Sequence, residues 1–276
     1  MLCTSFTHLP GIGVTTAKKL NSAGVYTWDD ACACPDLPLK SHQCGEFLRG
    51  IEESRQRLEE GDALWFSQRL SNSEQWRLFP HFHHSAAYVD IETTGLAMDT
   101  AVITSIALYD GENLKVYVNG HNLEEFLDDI ETYKLLVTWN GRGFDVPFIR
   151  RALRAPLQMA HLDLVPVFHS LGLKGGLKKV EKILGLSREE LDGVDGYTAV
   201  QLWHEYELTG QNNALETLLA YNAEDVFSLE LLASYACAQK GYPVKGDGIK
   251  PQNPFTPDLA LLARLNAQRK PWGSRW

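Results

Sequence analysis

The rhythm of apolar and polar positions changes near residue 86. Before it the spacing is helical. Phe47, Leu48, Ile51 and Leu58 recur on one helical face and Gly61 follows as a stop, which predicts a helix over 41–62. Further upstream, residues 9–20 read L-P-G-I-G-V-T-T-A-K-K-L, a Gly-Ile-Gly turn in front of a short helix. Residues 63–85 hold Trp65, Phe66, Trp76, Phe79 and Phe82 without a clear period, and read as a connector lying on the next domain.

From residue 86 short apolar runs take over. Strands are expected at 86–91, 102–109 and 114–118, the last two joined by a turn at Asp110-Gly111. An amphipathic helix over 122–132 precedes a buried strand at 135–139. A helix over 144–153, a strand at 161–164 and helices at 176–184, 197–208 and 214–235 complete the pattern. Strands first, then helices interleaved with single strands, predict an α/β domain on a mixed β-sheet flanked by helices. The expected organisation is a small helical module at 1–62, a connector at 63–85 and the α/β domain at 86–240. A Pro-rich tail at 241–276 comes last, with a short helix near 257–267 and a basic end at Arg269-Lys270-Pro271-Trp272. No internal repeat is visible.

Composition narrows the class. With 44% hydrophobic and 22% charged residues in 276, the chain reads as globular rather than disordered, collagen-like or coiled coil. No apolar run is long enough to cross a bilayer. Residues 1–20 carry His8, Pro10, Lys18 and Lys19 without a long apolar stretch, so no signal peptide is expected. Five cysteines, an odd number, do not read as a disulfide framework, and a reducing cytoplasmic compartment is expected.

The net charge of −9 is unevenly spread: residues 1–80 carry 8 Lys/Arg against 10 Asp/Glu, 81–240 carry 12 against 23, and 241–276 carry 6 against 2. A protein that holds nucleic acid by bulk charge is basic. Any nucleic-acid contact here must therefore be local, and the acidic middle is where carboxylates could hold metal ions.

Three carboxylate clusters stand out. Asp90-Ile91-Glu92 ends a buried strand, and residues i and i+2 of a strand share a face, so both carboxylates point one way. Two close carboxylates repel unless a cation sits between them. Hard divalent ions such as Mg²⁺ and Mn²⁺ take oxygen ligands of this kind. The plain alternative is a strand end with two solvated acids. Residues 140–148, N-G-R-G-F-D-V-P-F, again come just after an apolar strand. Asp145 stands where it begins or caps a helix, and an Asp there can also face a metal site. Residues 221–226, Y-N-A-E-D-V, lie in an apolar helix where Tyr221 and Asp225 share a face. Leu218, Leu219, Val226 and Leu229 bury that side, and a buried Asp needs a base or a metal as partner. Glu224 falls on another face and reads as solvated.

The order D-I-E-T-T-G-L, N-G-x-x-F-D, Y-N-x-x-D-V resembles the DnaQ-like (DEDD) 3′–5′ exonucleases of the ribonuclease H-like fold. Within them the YprB-type branch is most similar in spacing, in H-L-D-L at 161–164 and in L-K-G-G-L-K-K-V-E-K-I-L-G-L at 173–186. The resemblance runs over about 86–236. It implies a ribonuclease H-like mixed sheet and a two-metal site with two Mg²⁺ or Mn²⁺ ions. It implies that Asp90 bridges both ions, that Glu92 and Asp225 complete the first, and that Asp145 holds the second or its waters. Ala220 occupies the position of the His in one subtype and Tyr221 that of the Tyr in the other, so the Tyr subtype is implied, with Tyr221 orienting the attacking water. Asp163 resembles a recurring Asp of that branch and reads equally as a cap for the segment after it. Asn140, Lys174 and Lys178 are expected nucleic-acid contacts. Lys174, Lys178 and Lys182, at i, i+4 and i+8, read either as a phosphate rail or as a solvated helix face.

The run at 6–20, F-T-H-L-P-G-I-G-V-T-T-A-K-K-L, resembles a helix–hairpin–helix motif, in which free N–H groups at a helix start hold a phosphate. Gly11, Gly13, Thr15, Thr16 and Lys18 would make the contacts; a small packing unit for protein contacts is the alternative. Cys32, Cys34, His42 and Cys44 lack the usual zinc spacing and read as free thiols and a lone His.

The resulting expectation is a metal-dependent 3′–5′ exonuclease acting on DNA or RNA at a single-stranded 3′ end, without a membrane and with room for a protein partner. A structure-selective endonuclease on the same fold and a nucleic-acid-binding scaffold without turnover remain as alternatives.

Overall fold

The computed structural model describes residues 1–186, 188, 191, 194–244 and 250–267. Among them five strands form one sheet: β1 (Ala86–Thr93), β2 (Ile103–Tyr109), β3 (Leu114–Val118), β4 (Leu135–Thr138) and β5 (Ala160–Asp163). Their order is β3-β2-β1-β4-β5, with β1–β2 and β2–β3 antiparallel and β1–β4 and β4–β5 parallel. This is the mixed sheet expected from the pattern. The helices are α1 (Val14–Ser22), α2 (Trp28–Ala33), α3 (Ser41–Glu59), α4 (Ala63–Ser67), α5 (Phe79–Phe82), α6 (Phe126–Ile130), α7 (Asp145–Ala152), α8 (Leu164–Ser170), α9 (Leu177–Leu184), α10 (Gly196–Thr209), α11 (Asn212–Gln239) and α12 (Leu259–Ala267).

Strand alternation divides the core between the two faces of the sheet. Ala87, Val89 and Ile91 of β1 pack with Ile106, Leu108, Phe126, Val146, Phe148 and Ile149, the layer of α6 and α7. Ala86 and Tyr88 face the other way, toward Val226, Phe227 and Leu229 of α11. Asp90 and Glu92 continue that second row. The apolar alternation that buries β1 thus also delivers both carboxylates to the side covered by α11.

That second core runs without a break from Leu2, Phe6, Leu9 and Leu20 through Phe47, Ile51 and Phe66 to the sheet. Residues 63–85 do more than connect. Asp62 caps α4 by accepting the Trp65 N–H at 2.9 Å. A 3₁₀ helix comes next at Asn72–Leu78, and Pro80 opens α5. All five aromatics of the segment are buried.

Several expected elements shift. The helix expected over 122–132 is a 3₁₀ turn, Leu123–Glu125, leading into α6, because the Asn122 side chain instead closes the end of β3 on Val118 N and Val116 O. The strand at 161–164 ends at Asp163, whose side chain accepts the Val165 N–H at 3.1 Å and starts α8, a helix absent from the apolar pattern. Asp163 thus acts as a cap. Upstream of the Gly-Ile-Gly turn there is only a 3₁₀ turn, Leu2–Thr4, rather than a full first helix. α12 matches the helix expected near 257–267, whereas Arg269-Lys270-Pro271-Trp272 lie outside the described residues. Among the described residues no helix is long and apolar enough to cross a membrane.

Candidate active site

The row Ala86–Tyr88–Asp90–Glu92 meets α11 where that helix turns polar. Tyr221, Asn222 and Asp225 face it. Asn222 is fully buried, donates to Asp90 Oδ2 at 2.8 Å and accepts from Ser105 Oγ at 3.0 Å. This pins the Asp90 carboxylate on one side. One oxygen each of Asp90, Glu92 and Asp225 lies within 4.8 Å of the others, and among the described residues this is the cluster of three or more Asp, Glu, His or Cys able to share an ion.

Asp145 begins α7 and is buried. It lies outside that tightest group but lines the same cavity of about 550 Å³ with Asp90, Glu92, Asn140, Tyr221 and Asp225. The turn before it is held by Asp163, which accepts from Asn140 N at 2.9 Å and Arg142 N at 3.1 Å. Asn140 itself takes a left-handed backbone, φ 64°, which its short polar side chain tolerates. Gly141 has to be glycine, since a Cβ there would lie 2.2 Å from Thr138 Oγ1.

The electrostatics describe a site short of positive charge. Burial, then the charges of Asp225, Asp145 and Glu92, push the Asp90 carboxyl well above the usual carboxylate range, with Arg188 opposing. Glu92 rises for the same reasons, burial first and Asp225 next, with Lys178 opposing. Asp145 is pushed up to about 7 by burial, although its own and the Ile91 backbone N–H groups pull it back. The donor set is all oxygen, the kind that suits a hard divalent ion. Burial and the Asp225 charge raise the Tyr221 phenol further above its ordinary value, so it is neutral near pH 7.

Among the described residues, Arg188 and Lys178 approach the cluster. Arg188 is buried, donates to Glu181 through Nε at 2.7 Å and Nη2 at 2.8 Å, and pairs with Asp225 Oδ1. Its Cζ lies 5.8 Å from the Tyr221 ring centroid. Lys178 Nζ sits 4.1 Å over the same ring and donates to Val194 O.

Asp90, Glu92, Asp145, Tyr221, Asp225 and Asn140 therefore come together on one cavity. The lysine rail does not form. α9 begins at Leu177, so Lys174 precedes the helix, and Lys178 turns inward toward the carboxylates while Lys182 stays on the surface. Glu224, expected to be solvated, is buried because residues 250–253 lie across α11: Lys250 pairs with it, and Asn253 Nδ2 donates to it at 3.1 Å. Gly11, Gly13, Thr15 and Lys18 lie around the start of α1, remote in the chain from this cavity; Gly11, Gly13, Thr15 and Lys18 are exposed and Thr16 is half-buried. The cysteines are free thiols, and the described Cys/His residues form no metal cluster.

Arg188, Glu181 and Asn222 are site residues that the sequence pattern does not single out. Asn222 could have been found as a polar residue between Tyr221 and Asp225 on a helix buried all round. Arg188 and Glu181 carry no periodic signal, because their pairing depends on the chain folding back after α9.

Residues 87–237, more than half of the chain, match the family model described as the RNase H superfamily. No curated protein matches the chain. Among solved structures, the family B DNA polymerase from the hyperthermophilic archaeon Pyrobaculum calidifontis is similar at 17% identity and a TM-score of 0.41, over 56% of this chain and 24% of the polymerase. The chain thus spans about a quarter of that protein's length.

Proposed function

The chain belongs to the RNase H superfamily, and on that premise we propose that it is a metal-dependent 3′–5′ exonuclease of the Tyr-subtype, YprB-like kind, acting on DNA or RNA. The observation that carries the reading is the convergence of Asp90, Glu92 and Asp225 oxygens within 4.8 Å, with Asp145 on the same cavity wall. Asp90, Glu92, Asp145 and Asp225 are the residues that would hold two Mg²⁺ or Mn²⁺ ions. Such a pair, when bound, supplies an activated water and positive charge facing the leaving oxygen.

The chain's own residues do the positioning. Asn222 fixes Asp90 through Oδ2. Arg188, locked by Glu181, fixes Asp225 through Oδ1. Tyr221 is neutral near pH 7, which suits it to orient water by a hydrogen bond and not to act as a base.

The start of α1, with Gly11, Gly13, Thr15 and Lys18, serves as a second contact for a phosphate of the substrate. Residues 86–240 then carry the chemistry and residues 1–62 hold the strand. The five free thiols fit a reducing cytoplasmic compartment.

The test is a 5′-labelled single strand of DNA or RNA with a free or a blocked 3′ end, incubated with Mg²⁺ or Mn²⁺. Stepwise shortening from the free end and none from the blocked end is the expected result. Internal cutting of both substrates would instead make this an endonuclease.

A further inference from the structure

A second cavity, of about 410 Å³, opens on the far side of the turn that carries Asp145. Its wall includes Ser67 and Gln68 at the end of α4, Arg142 in the turn, Arg150 of α7, Gln158 before β5 and His161 within it. The two cavities share the 140–146 segment. Asn140, Phe144 and Asp145 line the carboxylate side, while Arg142 and Val146 line the other. α7 explains the split, since Val146 and Arg150 are one turn apart on the face away from Asp145.

The charge in this second cavity is one-sided. Both guanidiniums donate to backbone carbonyls, Arg142 Nη2 to His161 O at 2.7 Å and Arg150 Nη2 to Leu157 O at 3.4 Å. Neither is ion-paired among the described residues. The charge of Asp163 does act on Arg142, but its oxygens accept the backbone N–H groups of Asn140, Arg142 and Val165 instead of the guanidinium, and it does not line the cavity. A guanidinium has five N–H donors, so each fork keeps free ones. Both charges bear on His161: after burial, Arg142 and Arg150 hold its ring down to about 3, so it stays neutral and adds no charge of its own. Ser67, Gln68 and Gln158 add neutral hydrogen-bonding groups. In a chain of net charge −9, two guanidiniums on one cavity whose lining holds no carboxylate, neither of them ion-paired among the described residues, is an arrangement suited to a phosphate.

We infer that Arg142 and Arg150 form a phosphodiester clamp, holding a backbone phosphate of the same nucleic-acid strand whose terminal phosphodiester lies at the carboxylate cluster. The inference rests on the nuclease reading, because that reading supplies the strand. The shared turn keeps the two sites close, since Arg142 and Asp145 are three residues apart in sequence and three residues of extended chain reach about 11 Å at most. A few nucleotides therefore bridge them. The same chemistry would also accept a free phosphate or mononucleotide, and the experiment separates these sources.

Fluorescence anisotropy with the full chain in Ca²⁺ compares 5′-fluorescein dT2 and dT12, and the uridine equivalents, on wild type and Arg142→Gln/Arg150→Gln. The clamp predicts about a tenfold loss of affinity for the 12-mer in 0.1 M salt, a salt slope smaller by about 0.7 for each phosphate no longer neutralised, and no change for the dimer. Equal 12-mer affinity in wild type and variant overturns the clamp. So does thermal stabilisation by inorganic phosphate or thymidine monophosphate that the variant loses while it keeps 12-mer binding, which would mark a free-phosphate site. Hydrolysis of the p-nitrophenyl ester of thymidine 5′-monophosphate by wild type with Mn²⁺ reads the carboxylate site alone. Its absence, together with intact strands, would sink the nuclease reading, whereas unchanged 12-mer affinity in the variant beside normal ester hydrolysis would sink only the clamp.

Discussion

Replacing Arg188 by Met removes the one guanidinium that the buried carboxylates of Glu181 and Asp225 share. The side chains of Arg188, Glu181 and Asp225 are 6%, 2% and 7% exposed, so water cannot take over as partner. Deleting one member of a buried ion pair typically costs about 3–5 kcal/mol, because the remaining charge stays buried and unpaired. Here two carboxylates lose their donor at once, which puts the expected loss in the upper part of that range. For domains of 150–250 residues each kcal/mol moves Tm by about 2–4 °C, so a fall of about 10 °C or more is expected in EDTA. Thermal and urea denaturation in EDTA measure it. Two companion measurements separate the contributions. Arg188→Met/Glu181→Leu should recover the Glu181 share of the loss, since an apolar pair of similar volume replaces that ion pair, and leave the Asp225 share. Saturating Mn²⁺ should recover part of it in the single variant, by giving Asp225 a new partner, and leave the Glu181 share untouched. A loss below about 1 kcal/mol in EDTA would refute the claim that Arg188 is what allows these acids to be buried together.

In EDTA, stability should fall as pH rises from about 4 to about 7, because Asp145, at about 7 when folded against 3.8 otherwise, binds more protons folded than unfolded in that window, and Asp90 and Glu92 shift the same way. With Mn²⁺ the slope should reverse, since ligation needs the deprotonated carboxylates; melting curves at stepped pH with and without Mn²⁺ read both slopes, and a flat EDTA profile would contradict the raised pKa values. Tyr221→Phe should lower turnover by about tenfold to a thousandfold while Mn²⁺ affinity, measured by titration calorimetry, stays near wild type; full activity would make Tyr221 a packing residue. Gly13→Val meets no clash, because a Cβ there has nothing within 4 Å, and should lower Tm by no more than a few degrees, roughly the N-cap preference for Gly over Val, yet weaken binding of a labelled oligonucleotide; unchanged affinity would favour a protein-contact role for α1.

The sheet was legible because each strand is a short apolar run with period 2 or full burial, and β1 announced its carboxylates by ending that run at Asp90-Ile91-Glu92. α11 was legible because its apolar positions run on for many residues around the polar group at 221–225. The failures have a common cause. A helical wheel cannot see what other segments lay across a helix, so Glu224 read as solvated although residues 250–253 cover it. Residues 63–85 lacked periodicity because they fold as short 3₁₀ and α turns whose aromatics are buried individually rather than along one face. The lysine rail assumed a helix from residue 174, but Gly176 is the N-cap and the backbone turns there. Arg188 depends wholly on tertiary placement.

The central question is whether Asp90, Glu92, Asp145 and Asp225 hold divalent ions for phosphodiester hydrolysis. Release of nucleotide from a 3′-labelled single strand, measured across a Mn²⁺ titration for wild type and Asp90→Asn, tests this most directly. Asp90 contributes to the tightest oxygen cluster and is pinned by Asn222, so its charge should matter most while Asn keeps the shape. The expected result is Mn²⁺-dependent release by wild type and a loss of about a thousandfold or more in Asp90→Asn, which excess Mn²⁺ does not restore. Release by Asp90→Asn at the wild-type rate, or by wild type in EDTA, would contradict it.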